Sequence, residues 1–526
     1  METTRTIIQS PYGDVELAQV PLHAFVLDGA AARAAQPALI DGATGLVLSY
    51  RELAGSVRKA AAGLVARGVA KGDVLALRSP NCPEFVVAYF AALAAGALVT
   101  TVNPLAPPAD VIRQLAHSRA RWLITTPALF KDGIAATAGV RETFVFGMAA
   151  GATPFAALAD SGRAGQLPAV APDDDAVLLY SSGTTGLPKG VLLSHRSLVA
   201  NLCQTHPVHR VRSDDVLITA LPLFHIFALQ VTLSLGLRAG ATVVIMPRFD
   251  LEDFLRLVQD YGVTRAEVVP PIILALARQH AVSRYNVSSL RLITSGAAPL
   301  SAQLARECAA RLGCRVKQAY GMTELGGATH MMPDTGGGDP ASIGPPLPGT
   351  ECRVIDCASG RDAGPGERGE LLIRTPGAMR GYLDNQAATA ATIDADGWLH
   401  TGDVVIADRE GWFKVVDRVK ELIKYKGSQV APAALEAILL AHPGIADVAV
   451  AGLPDDEAGE IPTAFVVLRQ PNSATAGELM AAVASQVAPH EKIRRVEFVS
   501  GIPKSPSGKI LRRLLVQSSS PTGRPG

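Results

Sequence analysis

The sequence predicts an α/β protein of more than one domain, and three observations carry that expectation. The chain has 526 residues, more than one hydrophobic core usually serves. Short apolar runs of strand length alternate with stretches of helical periodicity over most of its length, the pattern of sheets covered by helices. Between Ile343 and Ile373 the pattern changes to short strands broken every few residues by Gly and Pro, which predicts a small β-barrel or β-layer.

In chain order, Leu53, Val57, Ala61 and Leu64 mark one face of a helix within 49–68. Val74–Leu77 reads as a strand. Phe85–Val102 is uncharged over about the length of a membrane span. It is Ala-rich, holds Gly96 and lacks a basic flank, so a buried helix followed by a buried strand is the simpler account. Val111–Leu115 and Trp122–Thr125 continue the alternation, whereas 135–165 is Ala/Gly-rich and uninformative. A helix starts near Ser194, a strand follows Ser213-Asp214-Asp215, and further α/β units surround 240–244 and 290–294. Between Val415 and Lys420 the chain is expected to enter a second domain. The expected division is a large N-terminal domain over 1–418, a smaller α+β C-terminal domain over 419–516, and a disordered Ser/Pro/Gly tail over 517–526.

Composition excludes several classes of function. A net charge of +1 gives no global field for nucleic acid or a membrane surface, and no partner of either kind is expected. Six cysteines without a Cys-x-x-Cys pair read as thiols of a reducing compartment. The N-terminus lacks a secretory pattern. A cytoplasmic location is expected.

The most informative stretch is Tyr180-Ser181-Ser182-Gly183-Thr184-Thr185-Gly186-Leu187-Pro188-Lys189-Gly190-Val191, a loop between two apolar strands. Its ten positions from Ser181 to Gly190 offer four hydroxyls, three glycines and one ammonium. Hydroxyls and unobstructed backbone N–H groups donate to phosphate oxygens, and a lysine adds the point charge that polyphosphate favours. It is not a Walker A loop, because Pro188 stands where that pattern needs its second Gly. Lysines are sparse beside arginines; several crowd into 414–426, and Lys509 stands isolated in a Pro/Ser/Gly loop.

This loop resembles the signature of the adenylate-forming superfamily of acyl-CoA synthetases, luciferases and adenylation domains. Further matches follow in that family's order: Leu221-Pro222-Leu223-Phe224-His225, Ser295-Gly296-Ala297-Ala298-Pro299-Leu300, Gln318-Ala319-Tyr320-Gly321-Met322-Thr323-Glu324 and Thr401-Gly402-Asp403. Asp417-Arg418-Val419-Lys420-Glu421-Leu422-Ile423-Lys424-Tyr425-Lys426-Gly427 and Pro503-Lys504-Ser505-Pro506-Ser507-Gly508-Lys509 complete the set. The wording is most similar to the 4-coumarate–CoA ligases.

The resemblance implies ATP, Mg²⁺ and coenzyme A as cosubstrates and cofactor, with a cinnamate-type carboxylic acid as substrate. Lys509 would bridge carboxylate and α-phosphate, His225 would gate the acid pocket, and Lys424 and Gln429 would line the reacting centre. Nucleotide binding would fall to Ser181, Ser182, Gly183, Thr184, Thr185, Gly186, Lys189, Gln318, Ala319, Tyr320, Gly321, Thr323, Asp403, Arg418, Lys424 and Lys509. Glu324 with Thr184 would hold the metal. Phe227, Val231, Ala297, Ala319 and Met331, beside His225, would form the acid pocket. Arg248, Lys426 and Gly427 would meet coenzyme A, and Lys420 would be the hinge of a mobile C-terminal domain. Phe227, Val231 and Ala319 depart from the plant ligases and imply a smaller pocket without a polar partner for a ring hydroxyl, so cinnamate is expected to serve at least as well as 4-coumarate. A medium-chain or aryl CoA ligase, a carrier-loading acyl-AMP ligase, a luciferase-type oxygenase and a catalytically inert nucleotide-binding scaffold are the competing readings.

Overall fold

The structure, a computed structural model, describes residues 6–130, 133–159, 166–181, 188–426, 428–455, 457–505 and 508–519. Two eight-stranded sheets form its larger part among these residues. In the first, the parallel strands Val74–Arg78, Leu98–Thr101, Trp122–Thr125 and Glu142–Val145 adjoin the antiparallel pair Asp175–Ser181 and Lys189–Ser194. In the second, Arg265–Val268, Leu292–Ser295 and Arg315–Met322 run parallel side by side, and Gly327–Met331 returns antiparallel on the last.

Local sequence explains the elements. The helix Tyr50–Ala66 opens on a capping box in which Ser49 and Glu52 satisfy each other's backbone N–H groups. Ser194 caps the helix His195–Thr205 by accepting from the Ser197 N–H at 3.1 Å. The uncharged run resolves into the buried helix Pro83–Ala94 and the strand Leu98–Thr101. At 12 residues that helix is too short for a bilayer. Among the described residues, no helix is long and apolar enough to cross a membrane.

Ile8–Gln9, Glu351–Ile355, Arg368–Arg374, Leu399–Ala407 and Phe413–Arg418 form a five-stranded antiparallel sheet. Its described strands do not close on themselves, so a layer stands where a barrel was one expectation. The last sheet begins at Ile423 and combines Ile423–Tyr425, Ser428–Val430, Ile445–Asp455, Gly459–Leu468 and Arg495–Phe498. Helices Pro432–Leu440 and Ala476–Ala484 contribute to the separate core that this sheet builds.

One expectation at the C-terminus is corrected. Helix Arg512–Ser519 includes Gln517, Ser518 and Ser519, which the sequence assigns to a disordered tail. Leu515 is buried against Ala449, Leu453 and Phe465, and Ser519 Oγ donates to Glu497 at 2.9 Å, so this helix is docked at both ends of the segment in question. Residues 520–526 lie outside the described residues.

Candidate active site

A cavity of about 1090 Å³ opens where the sheets meet the C-terminal lobe. Ala297, Ala298 and Pro299 line one side, Ala319, Tyr320 and Gly321 another, and Asp403 and Arg418 a third. Lys509 reaches the same space from the C-terminal lobe. Its loop is seated by Gly508, where an added Cβ would lie 3.2 Å from Val269. Burial lowers the Lys509 pKa, the Arg418 charge adds to that, and the carboxylates of Asp403 and Glu324 oppose it. One ammonium from the far end of the chain thus shares a field with groups from three other motifs.

Asp403 and Arg418 are register partners on adjacent strands, which brings Arg418 Nε to 2.9 Å from Asp403 Oδ1. The Tyr320 hydroxyl donates to Asp403 Oδ2 at 2.7 Å, and burial together with that carboxylate holds its pKa well above the usual value. Glu324, 7% exposed, follows Thr323 in a single 3₁₀ turn. Its Oε1 accepts from Ser181 at 3.0 Å and from Tyr382 at 3.1 Å. Lys189 Nζ stands 4.6 Å from the centre of the Tyr382 ring. The two ends of the hydroxyl-rich loop are therefore fixed beside Glu324. Ser182, Gly183, Thr184, Thr185 and Gly186 lie outside the described residues.

His225 is positioned from outside its own segment. Asn81 accepts from the Leu223 N–H at 2.7 Å and donates to the Leu221 carbonyl at 3.0 Å, while Thr101 Oγ1 donates to the Phe224 carbonyl at 2.7 Å. His225 Nε2 is buried without a hydrogen-bond partner. Burial, with the Lys509 charge nearby, pushes its pKa down to about 4, so the ring is neutral at neutral pH. The next turn, Phe227–Ser234, is a π-helix, a form that concentrates at functional sites. It sets Phe227 against an apolar cluster containing Val231, Ala319, Ala328 and Met331. Ala297 adopts φ +66, a left-handed conformation that costs an alanine energy and clusters at functional sites.

Several expected residues stand elsewhere. Gln318 is 3% exposed and its amide is occupied with backbone: Nε2 donates to Leu300 and Pro340, and Oε1 accepts from the Leu300 N–H at 3.2 Å. It positions the Ala297–Leu300 loop instead of facing the cavity. Lys424 and Gln429 are partners across a hairpin of the C-terminal lobe, both exposed and outside the cavity lining. Lys426 is exposed with φ +46, Gly427 lies outside the described residues, and Arg248 is exposed beyond the strand Thr242–Ile245. Lys420 stands exposed at the cavity's edge.

Among the described residues, no group of three or more His, Cys, Asp or Glu side chains could hold a metal. Mg²⁺ characteristically takes few protein oxygens and completes its shell with water and phosphate, and Glu324 beside Ser181 fits that donor set.

A carboxylate–guanidinium pair, a buried glutamate beside Ser181 and a lysine from the C-terminal lobe thus share one region, the arrangement of an adenylate-forming enzyme. Residues 27–383 match the AMP-binding enzyme family and residues 434–509 its C-terminal domain. The chain belongs to the AMP-binding enzyme family. It is 44% identical over 510 residues to 4-coumarate–CoA ligase 5 of Oryza sativa subsp. japonica, covering 94% of each chain. It is 42% identical over 527 residues to 4-coumarate–CoA ligase of Pinus taeda, covering 96% of each. The crystal structure of ATP-bound MatB from Rhodopseudomonas palustris superposes with a TM-score of 0.88 at 28% identity, covering 96% of this chain and all of that one. A benzoate CoA ligase from Burkholderia xenovorans LB400 gives 0.85 at 27% identity, covering 94% of this chain and 99% of that one.

Tyr382 is a site residue that the sequence reading missed, since nothing in Arg380-Gly381-Tyr382 distinguishes it from a surface turn. Asn81 and Thr101 were equally silent, because each acts through the backbone of a segment more than a hundred residues away.

Proposed function

We propose that this enzyme joins a cinnamate-type aromatic acid to coenzyme A in two steps. In the first, a carboxylate oxygen attacks the α-phosphorus of ATP, forming an acyl-adenylate and releasing pyrophosphate. In the second, the coenzyme A sulfur attacks the acyl carbon, the thioester forms and AMP leaves. Both reactants of the first step are anions, so the site must neutralise charge and align the attack.

The observation that carries this reading is Lys509 on the cavity that Tyr320, Asp403 and Arg418 line. Lys509 neutralises charge between the carboxylate and the α-phosphate. Asp403 and Arg418 address the ribose hydroxyls, and Tyr320 stands against the base. Glu324, with Ser181 beside it, would hold a magnesium ion, which when bound would shield phosphate charge. Neutral His225 lines the way from the carboxylate to the thiol and serves neither as a cation nor as an obligatory base. Exposed Lys424, Gln429 and Lys426 belong to the second step, for which the C-terminal lobe turns about Lys420 and carries them inward as Lys509 withdraws. Six free thiols suit a cytoplasmic setting.

The test is AMP release with cinnamate, 4-coumarate, benzoate and octanoate, each with and without coenzyme A. Turnover with an aromatic acid that needs coenzyme A supports the proposal. Release only with octanoate, or turnover indifferent to coenzyme A, would overturn it.

A further inference from the structure

Tyr382 divides its side chain between two groups of the phosphate site. Its hydroxyl donates to Glu324 Oε1 at 3.1 Å, and Lys189 Nζ stands 4.6 Å from the centre of its ring. The backbone around it ties the same two groups together. Tyr382 and Gly381 pair with Val191 and Leu192 on the exit strand of the hydroxyl-rich loop, and the Leu383 N–H donates to the Gly190 carbonyl at 2.8 Å. Three residues before Tyr382, the Met379 N–H donates to the Glu324 carbonyl at 2.8 Å. Tyr382 itself is held from behind, its N–H donating at 2.9 Å to Thr389 Oγ1 on the helix Gln386–Thr392.

Two opposite charges thus meet one ring without meeting each other. Among the described residues, no ion pair joins Lys189 to Glu324 or to any other carboxylate. Ser181 and Lys189 face each other across the neck of the loop, and Ser181 Oγ also donates to Glu324 Oε1, at 3.0 Å. A buried carboxylate and an ammonium at the two ends of one loop attract each other strongly and would pair if nothing stood between them. Here the ring stands between: its face takes the ammonium and its hydroxyl takes the carboxylate. Both hydroxyl donors converge on Oε1, which leaves Oε2 for another partner.

We propose that Tyr382 is a positioning residue that keeps Lys189 and Glu324 from pairing with each other, and so holds both ready for the magnesium-bound triphosphate of ATP. The ammonium moves from the ring to a phosphate oxygen without first breaking an ion pair. The carboxylate, turned by two hydroxyls, presents Oε2 to the metal. This rests on the reading of Glu324 as the magnesium carboxylate. Asp403 and Arg418 take no part in the arrangement, so binding of the nucleoside end does not depend on it.

The test is calorimetric binding of ATP, with Mg²⁺ and with EDTA, and of AMP, to wild type, Tyr382→Phe and Tyr382→Leu. The readout is the ratio of the ATP dissociation constants without and with Mg²⁺. Taken within one preparation, it does not depend on how much of a variant folds. Tyr382→Phe keeps the ring and loses the hydroxyl; it is expected to lower the ratio by roughly 3- to 10-fold, the scale of one net hydrogen bond, and to leave ATP binding in EDTA unchanged. Tyr382→Leu removes the spacer too, so Lys189 closes on Glu324 and ATP binding in EDTA should weaken by roughly 3- to 10-fold as well. Glu324→Gln should recover that loss in the Tyr382→Leu background by more than it gains in wild type, a coupling that general loosening of the site would not give. AMP affinity should stay within about 2-fold throughout. An unchanged ratio in Tyr382→Phe, no such recovery, or AMP binding weakened as much as ATP binding overturns the inference alone. ATP binding by wild type that is indifferent to Mg²⁺ overturns the magnesium reading and this inference together.

Discussion

Asp417 Oδ2 accepts the Ala433 N–H at 2.9 Å, so a residue on the last strand of the five-stranded sheet caps a helix of the C-terminal lobe. That helix, Pro432–Leu440, has no side-chain cap of its own, because Ala431 holds the N-cap position. Asp417 and Ala433 lie on opposite sides of Lys420, and rotation about Lys420 would separate them.

Burial pushes the Asp417 pKa up to about 6, against its two backbone N–H bonds and the Arg512 charge. The folded protein therefore keeps a proton that the unfolded chain releases near pH 4. Stability from this group is full below about pH 4 and is lost as pH rises to about 6, by roughly 1–3 kcal/mol. Asp417→Asn should flatten that slope relative to wild type. Denaturant midpoints of both proteins between pH 4.5 and 6.5 check it, and parallel curves would refute it.

Lys420→Pro should spare adenylation and impair thioester formation, because a fixed φ removes freedom at the proposed pivot. Pyrophosphate release and acyl-CoA formation, measured on one preparation, separate the two steps. Equal losses in both would count against the pivot.

Lys509→Ala should slow pyrophosphate release on the order of 10²–10³, the range seen when a preorganised donor to developing charge is removed. Conversion of separately supplied acyl-adenylate to thioester should change little. Near-normal pyrophosphate release would remove Lys509 from its role.

Gly321→Ala should destabilise the fold by about 3 kcal/mol or more. The new Cβ would stand 1.9 Å from the Gly327 carbonyl oxygen and 2.8 Å from the Ala328 Cα, both backbone atoms that cannot yield cheaply. Tyr320, next to the bulge in this strand pair, would be displaced with it. Thermal unfolding and ATP affinity should fall together; a variant with normal values for both would contradict the packing described.

Most of the strands and the site's motifs were legible because each is local. The loop from Ser181 to Gly190, the Ser295–Leu300 turn and the lysine loop announce themselves by composition. What escaped the sequence is relational. Glu267, Thr294 and Lys317 form one row only through strand register, which no one-dimensional pattern specifies. Tyr382 and Asn81 work by contact with distant segments. Gln318 sits inside a recognisable motif, yet its amide turns to the Leu300 and Pro340 backbone. The tail was misjudged because its Ser/Pro/Gly composition hid the amphipathic end of a helix whose Leu515 is buried.

Ala297 carries a methyl group in a backbone region where glycine would rest without penalty. Exchanging it for glycine would relax the loop but also free it to wander, at the wall of the cavity proposed to hold the acid. Tolerance of heat and speed of turnover are thus set against each other at a single side chain, and engineering this enzyme for durability should leave that residue alone.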